Sequence, residues 1–344
     1  MKIQRTVALV LVLAVALVLS PAVGHAQKKA KKKEAEAPQE KIFIPKPVQA
    51  VIEEGLESRE GRRDIAIDAF QYYVFPAREN LHTVVLFKAK NGELGFIPAE
   101  GPEGTLEARF NVFLQFRQMD NGRPGEVARE VFIPAVFQEN AETFDPETEA
   151  WYSAGYPLPP GDYLLGLAVT SLDLERIGID YMEITLPNPA IQNALDTTPI
   201  LFVGTMEQMP AVEMRAELHK EYFTYSVLKM TPNVERVIAP GQDVEIFFFI
   251  FGARPVDQQK VNLEIGYEVM KGEETQIRWE AQSYEIPLIS QPLPMKQTVI
   301  ITDESGERTE QRNLEPGSYT LVLTIKDTLA GNTLEKTIPF EVKE

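Results

Sequence analysis

Two stretches of the chain, LPPGDYLLGLAV at 158–169 and LEPGSYTLVLTI at 314–325, share one pattern and decide the fold. In each stretch a leucine precedes a Pro-Gly pair, a tyrosine follows it, and apolar residues then alternate along the chain. The matching positions are Leu158, Pro160, Gly161 and Tyr163 in the first stretch and Leu314, Pro316, Gly317 and Tyr319 in the second. Proline fixes φ and glycine permits positive φ, so the pair predicts a tight corner that leads into a β-strand.

The residues around this corner have predictable places. We expect the leucine to fill the core beneath the corner and the tyrosine hydroxyl to return to the backbone near it. The pattern resembles the tyrosine corner of immunoglobulin-like and fibronectin type III-like sandwiches, and such a corner builds a fold without doing chemistry. Two copies that lie a domain length apart imply an all-β protein with two tandem antiparallel β-sandwiches.

Alternation elsewhere in the chain predicts the same fold class. Residues 105–117 place apolar side chains on one face and mainly polar ones on the other, which is typical of a half-buried antiparallel strand. Asp120-Asn121-Gly122 predicts a turn after this strand, and Asn91-Gly92 predicts a hairpin after a strand over 82–90. Prolines at 187, 189 and 199 predict a linker over 188–199, between sandwiches at 64–187 and 200–344.

The N-terminal segment predicts export to the periplasm or the cell surface. Two basic residues precede an unbroken apolar run from Val7 to Leu19, and small residues follow at Gly24 and Ala26. This order is typical of a secretory signal peptide over 1–26, and the open alternative is an uncleaved membrane anchor. The charged residues 27–46 predict a disordered tether, and apolar spacing of three to four residues predicts a short helix within 47–63.

Composition narrows the classes of function. The formal net charge is −17, and an acidic surface repels phosphate backbones, so we expect no nucleic-acid partner. The chain has no cysteine, which excludes disulfides, a thiol nucleophile, a Cys-ligated zinc and a lipidated cysteine. A membrane is an expected partner only if the N-terminal segment stays uncleaved.

Candidate catalytic residues do not emerge from the sequence. His82 and His219 are the only histidines after the predicted signal peptide, and their spacing matches no metal-ligand pattern. The acidic stretches at 145–149 and 303–307 carry oxygen ligands but lack the spacing of a calcium loop, so solvated turns are the simpler interpretation. We expect a protein that is not an enzyme and has no metal and no cofactor.

One aromatic group lies just before the first corner. Trp151, Tyr152 and Tyr156 occur in WYSAGY, and the sequence leaves two roles open for them. Exposed rings on a sandwich edge would stack on sugar rings, whereas buried rings would cap the first core. The second role is the more ordinary one for residues beside a sandwich corner.

A second aromatic group lies in EIFFFIF at 245–251. Phe247, Phe249 and Phe251 share one face of a predicted strand, and the opposite face is also apolar. A sandwich buries one face of each sheet, so the phenylalanine face needs a cover of its own. The candidates are the other domain, the segment 200–222 and a partner protein, and cover from within the chain is favoured.

Residues 64–187 are similar to the sandwich region of exported bacterial proteins that carry a GWxTD domain. The likeness is in the strand pattern of 70–117 followed by LPPGDY. The GWxTD tetrad itself is absent from the sequence, so the resemblance implies a sandwich fold and no function.

Taken with the acidic composition, these patterns predict a non-catalytic exported protein. Its expected role is binding or scaffolding through protein–protein contacts in the cell envelope. One alternative is a carbohydrate-binding module that uses residues 151–156, with a glycan as its partner. A periplasmic chaperone is a third interpretation, but such chaperones rely on basic cleft residues and this acidic chain has no obvious equivalent.

Overall fold

Alternating apolar side chains form antiparallel sheets along most of this chain, and a computed structural model shows an all-β protein. The structure describes residues 44–77, 80–101, 103–188, 194–213, 215–257, 260–303 and 306–344. The predicted signal peptide and most of the predicted tether lie outside the described residues. Ile44, inside the predicted tether, is buried in a core cluster, so ordered packing begins before residue 47.

The chain divides into two compact units. The first contains the residues up to Tyr72, Ala77–Leu186 and Pro210–Val227, and the second contains Tyr73–Pro76, Pro187–Met209 and Leu228–Glu344. Leu186 ends a stretch of the first unit, and Pro187 begins a stretch of the second. Pro210–Val227, which the sequence assigns to the second sandwich, belongs to the first unit, and we call it the strap.

The first unit is a sandwich of two sheets. Strands are numbered along the whole chain. Those of this unit are β2 (Asn80–Lys90), β3 (Ile97–Pro98), β4 (Thr105–Asp120), β5 (Arg123–Asn140), β6 (Glu149–Leu158), β7 (Gly161–Ser171), β8 (Ile177–Leu186), β11 (Leu218–Lys220), β12 (Phe223–Tyr225) and β1 (Ile67–Ala77) apart from its Tyr73–Pro76, which belong to the second unit. The four-stranded sheet has the order β1-β2-β6-β11. The five-stranded sheet has the order β3-β4-β7-β8, with β5 also paired to β4.

The strand over 105–117 and its turn form where the sequence predicts them, but the half-buried character predicted for the strand is wrong: Phe113 and Gln115 on its outer face are also buried, because the helix Lys46–Glu54 packs on that face. In β4 the side chains of Ala108, Phe110 and Val112 are buried, whereas Arg109 between them is exposed. The following turn joins β4 to β5 with Asn121 at φ 50° and Gly122 at φ 78°. Positive φ at both positions is the geometry of a two-residue type I′ hairpin turn, which explains the Asn-Gly pair.

The hairpin predicted at Asn91-Gly92 is wrong. These residues begin a short 3₁₀ helix, Asn91–Leu94, and the strand before it pairs with β6 rather than with a strand that follows at once. The Asn91 side-chain amide donates to the Asp145 carbonyl at 3.1 Å, and the Gly92 amide donates to the Pro146 carbonyl at 2.9 Å. Bonds to a distant loop therefore replace the local ladder that a hairpin needs.

Helix α1 (Lys46–Glu54) covers the outer side of the five-stranded sheet. Val48 and Ile52 lie one turn apart on its buried face, as the apolar spacing predicts. They pack with Phe113 of β4, Ala168 of β7 and Ile179 of β8. The Tyr181 hydroxyl donates to the Ile52 carbonyl at 2.5 Å, which ties the helix end to β8.

The second unit is also built from packed sheets. Its strands are β9 (Asp196–Thr197), β10 (Leu201–Gln208), β13 (Leu228–Pro232), β14 (Val237–Ile238), β15 (Val244–Phe251), β16 (Leu263–Lys271), β17 (Glu274–Arg278), β18 (Gln282–Tyr284), β19 (Leu288–Leu293), β20 (Lys296–Asp303), β21 (Gly306–Asn313), β22 (Gly317–Asp327) and β23 (Thr333–Val342). One sheet has the order β13-β10-β15-β19 with β9 on β15, and the other has β14-β23-β22-β16-β17 with β18 on β16. Strands β20 and β21 form a separate hairpin.

The two sheets of the second unit share one apolar core. Phe202 of β10 meets Phe340 of β23 with ring centroids 6.0 Å apart. Phe248 and Tyr267, from opposite sheets, are both fully buried in the same cluster. This contact between inward faces is the packing expected of a β-sandwich.

Candidate functional site

The two tyrosine corners have the same geometry. The Tyr163 hydroxyl donates to the Pro159 carbonyl at 3.0 Å, and the Tyr319 hydroxyl donates to the Glu315 carbonyl at 2.8 Å. In both cases the acceptor lies four residues before the tyrosine. The hydroxyl therefore returns to the corner backbone in each unit, as the repeat predicts.

The remaining corner residues have structural roles in the core and in the corner backbone. Leu158 and Leu314 are each 1% exposed, so both fill a core. Gly161 has φ 150° and Gly317 has φ 151°, which side-chain-bearing residues rarely adopt. Pro160 and Pro316 precede these glycines and fix the entry to the corner. All eight residues of the repeat thus serve the architecture.

Tyr152 lies in the core of the first unit. It is fully buried, its ring stacks on Phe87 at 5.4 Å, and it meets the edges of Phe110 and Phe137. Burial raises the pKa of its hydroxyl, which has no hydrogen-bond partner among the described residues. Its ring joins the two sheets and is not available on the surface.

Trp151 and Tyr156 point to opposite faces of β6. Successive strand residues alternate between faces, so Tyr156 shares the face of Tyr152, and Trp151 lies on the other face. Both are half-buried, and the Arg129 guanidinium lies 5.4 Å from the centre of the Tyr156 ring. The three rings of WYSAGY therefore do not form one platform.

The phenylalanine face of β15 is covered within the second unit. Phe247 is fully buried, Phe251 is 4% exposed, and Phe249 is half-buried. The Phe75 ring lies 5.9 Å from that of Phe247, and the Phe249 amide donates to the Thr198 hydroxyl at 2.9 Å. Tyr73–Pro76 and the residues around β9 thus supply cover from within the chain.

Both described histidines lie on one face of the four-stranded sheet. His82 of β2 is opposite Pro157, and His219 of β11 is opposite Ser153. These positions alternate with Tyr152, so they lie on the outer face, which points away from the sandwich core. Sequence spacing gave no sign of this shared face, because it depends on two non-local strand pairings.

Glu213 of the strap contacts His219, and its charge also acts on His82. Its Oε2 atom lies 3.0 Å from His219 Nε2 and accepts a hydrogen bond from the Thr224 hydroxyl at 2.8 Å. The His219 ring also stacks on Tyr222 with centroids 4.6 Å apart. These contacts fold the strap on itself, since all four residues belong to it.

His82 has a different environment from His219. Its Nε2 atom is buried with no hydrogen-bond partner among the described residues, and the ring is bonded to the Thr224 backbone. Tyr225 lies 6.1 Å away, and a Cβ atom added to Gly155 would be 2.6 Å from Nε2. Burial lowers the pKa of His82 to about 4, although the Thr224 backbone and Glu213 oppose the shift.

The strap is tied to β6 by backbone and side-chain hydrogen bonds. Leu218, His219 and Lys220 pair with Ala154, Ser153 and Tyr152 in an antiparallel ladder. The Ser153 hydroxyl donates to the Tyr222 carbonyl at 2.6 Å, and the Glu221 amide donates to the Trp151 carbonyl at 3.1 Å. Ser153 is fully buried beneath these contacts.

Strand β5 forms a long edge of the five-stranded sheet. Within the described residues its ladder runs along β4 alone. Val127 is 38% exposed and Val136 is 56% exposed on this strand. A shallow acidic cleft of about 370 Å³ lies at its end and includes Glu103, Glu139 and Glu142 in its lining.

Two features are absent from the described residues, a metal-binding cluster and a membrane-spanning helix. In that part of the chain, no group of three or more His, Asp or Glu side chains converges to hold a metal ion. Asp145 instead accepts a hydrogen bond from the Glu147 amide at 2.9 Å, as in a local turn. None of the described helices has the length and apolar character to cross a membrane.

No protein-family model matches this chain, and no curated protein matches its sequence.

Proposed function

We propose that this is a non-catalytic exported protein that binds or scaffolds another protein of the cell envelope. The observation that carries the proposal is the edge strand β5, which is 18 residues long. An edge strand offers unpaired backbone N–H and C=O groups to an added strand. Val127 and Val136 add apolar side chains to that edge.

Strand β5 also carries features that limit indiscriminate pairing. Pro134 lacks an N–H group, and proline within a sheet is typical of an edge strand. Glu126 is exposed, and Glu130 accepts a hydrogen bond from the Gln115 amide at 3.0 Å. Prolines and charges on an edge oppose self-association. Strand β5 is therefore better suited to pairing with a specific partner than to aggregating with other copies of itself.

The finer fold assignment follows the same reasoning. We infer tandem immunoglobulin-like or fibronectin type III-like sandwiches, because both units have the tyrosine-to-backbone hydrogen bond of a tyrosine corner. The similarity of residues 64–187 to the sandwich region of GWxTD-domain proteins is part of this inference. Export follows from the signal-peptide pattern over 1–26.

Carbohydrate binding is the weaker of the two sequence-based functions. A sugar platform needs exposed rings that face the same way, whereas Tyr152 is buried and Trp151 and Tyr156 lie on opposite faces. The placement of these rings therefore favours the protein-binding proposal.

Site-specific photocrosslinking in the native envelope tests the proposal. A photoreactive residue at Val136 should capture a defined protein, and the same residue at Leu172, which is 60% exposed in the turn after β7, should not. With the photoreactive residue moved to a second position on β5, Val136→Lys should reduce capture of that protein about tenfold. The matched control, Leu172→Lys, should leave capture unchanged. Equal capture at both positions, or capture only by envelope glycan, would overturn the proposal.

A further inference from the structure

We propose that protonation of His82 releases the strap from the outer face of the four-stranded sheet, so that the strap acts as an acid-sensitive cover. The inference concerns the first unit alone, because His82, β6 and the strap all belong to it. It stands independently of the proposed binding partner.

His82 joins the sheet to the strap. It belongs to β2, whereas its hydrogen-bond partner Thr224 and its ring neighbour Tyr225 belong to the strap. Its closed position needs Gly155 beside it on β6, because a larger residue would collide with Nε2. A change in the charge of this ring therefore acts directly on the contact between strap and sheet.

The closed arrangement has no place for a charged His82. The buried Nε2 atom would carry a proton with no acceptor among the described residues. Glu213, the carboxylate whose charge acts on His82, already accepts from His219 and Thr224. From β6 the ring meets uncharged Gly155, and from the strap it faces the phenol of Tyr225.

The other ionisable groups around the histidines do not oppose release. His219 and Glu213 both belong to the strap, so the contact between them lies inside the strap and does not attach it to β2. Glu213 and Glu217 act on Tyr222, whose hydroxyl pKa is raised mainly by burial. Tyrosine stays neutral in mild acid, which leaves His82 as the group that senses pH at the contact.

The expected size of the response follows from linkage. With the strap closed the pKa of His82 is about 4, and with the strap open it should return to about 6.5. Because the open form binds the proton more tightly, acid favours it throughout this range. Between pH 7.5 and pH 5 the ratio of open to closed strap should rise roughly 30-fold.

The lack of cysteine makes this opening measurable with one thiol. Ser153→Cys places a thiol at a fully buried position beneath the Tyr222 carbonyl of the strap. In the full chain, labelling by 4,4′-dithiodipyridine, normalised to an unstructured cysteine peptide, should accelerate roughly 30-fold from pH 7.5 to pH 5. A normalised rate that does not change with pH would overturn the proposal.

Two substitutions, each combined with Ser153→Cys, show which histidine causes the change of labelling rate with pH. His82→Asn keeps a donor for the Thr224 backbone but cannot take up a proton, so the pH response should disappear. His219→Gln keeps a donor for Glu213, so the response should persist. If His82→Asn retains the response, or if His219→Gln removes it, His82 is not the sensor.

Nuclear magnetic resonance of the unsubstituted chain keeps the test decisive if His82→Asn fails to fold. The His82 ring should remain neutral while the strap is closed, and its protonation should coincide with loss of amide protection at Leu218–Lys220. Protonation near pH 6.5 with those amides still protected would overturn the proposal.

Discussion

Strands β7 and β22 follow the two corners and carry the same core residues, yet only β7 is buried on both faces. Toward the sandwich interior, Leu165, Leu167 and Val169 correspond to Leu321, Leu323 and Ile325, and all six are fully buried. On the opposite face, Leu164, Gly166, Ala168 and Thr170 are buried, whereas Thr320 and Val322 are half-buried and Thr324 and Lys326 are exposed.

Helix α1 explains this difference. It lies on the outer face of β7, where a Cβ atom at Gly166 would be 2.9 Å from Ile52 Cγ2. The corresponding residue of β22 is Val322, and a Cβ-branched residue suits a strand with one open face. The corner and the inward alternation thus specify a sandwich strand, while small residues on the outer face specify whether a third layer can pack on it.

Removal of the helix contact should have the largest effect. Ile52→Ala leaves a cavity under α1 and should lower the free energy of unfolding of the first unit by about 2–5 kcal/mol. Val322→Ala, at the open face of β22, should cost less than about 1 kcal/mol. Hydrogen exchange at the amides of β7 and β22 in the full chain reports the stability of each unit separately. If Ile52→Ala lowered protection only in β22, it would contradict the comparison.

Swapping the corresponding outer-face residues of β7 and β22 should have the next largest effect on stability. Gly166→Val copies the second unit into the first, and overpacking against Ile52 should destabilise the first unit by about 1–3 kcal/mol. The reverse change, Val322→Gly, should cost about 1 kcal/mol of backbone entropy beyond the cost of Val322→Ala. Urea denaturation measures both, and a neutral Gly166→Val would show that α1 does not restrict β7.

Deletion of either corner hydroxyl should have a smaller and equal effect. Tyr163→Phe and Tyr319→Phe should each cost about 1 kcal/mol, because water can reach acceptors in the exposed residues Pro159 and Glu315. The losses should add in the double variant, since the two corners belong to separate units. A clear departure from additivity would mean that the corners are coupled.

The smallest expected effect concerns the second corner alone. The Lys271 ammonium lies 5.3 Å from the centre of the Tyr319 ring, a cation–π contact at a partly exposed site. Lys271→Met retains most of the apolar stem and should cost about 0.5 kcal/mol. Thermal unfolding detects this loss, and a cost that persists when Tyr319 is replaced by leucine would exclude the ring as its cause.

Particular residues show how far sequence reasoning reaches. The Asn121-Gly122 turn and the alternation of β4 were predictable, because both depend on neighbours along the chain. Asn91-Gly92 is the same kind of turn signal, yet it starts a 3₁₀ helix because its backbone binds the loop at 145–148. Tyr152 could not be distinguished from an exposed ring until its strand was placed against β4 and β5.

The sequence by itself determined the class of fold and the two corners. Proline, glycine and a two-residue period restrict φ, ψ and side-chain direction within a few residues, so these features require no distant partner. Only the tertiary structure decided that the strap belongs to the first unit and that His82 and His219 share one face. Such pairings depend on the free energy of burying distant segments together, which no local pattern records.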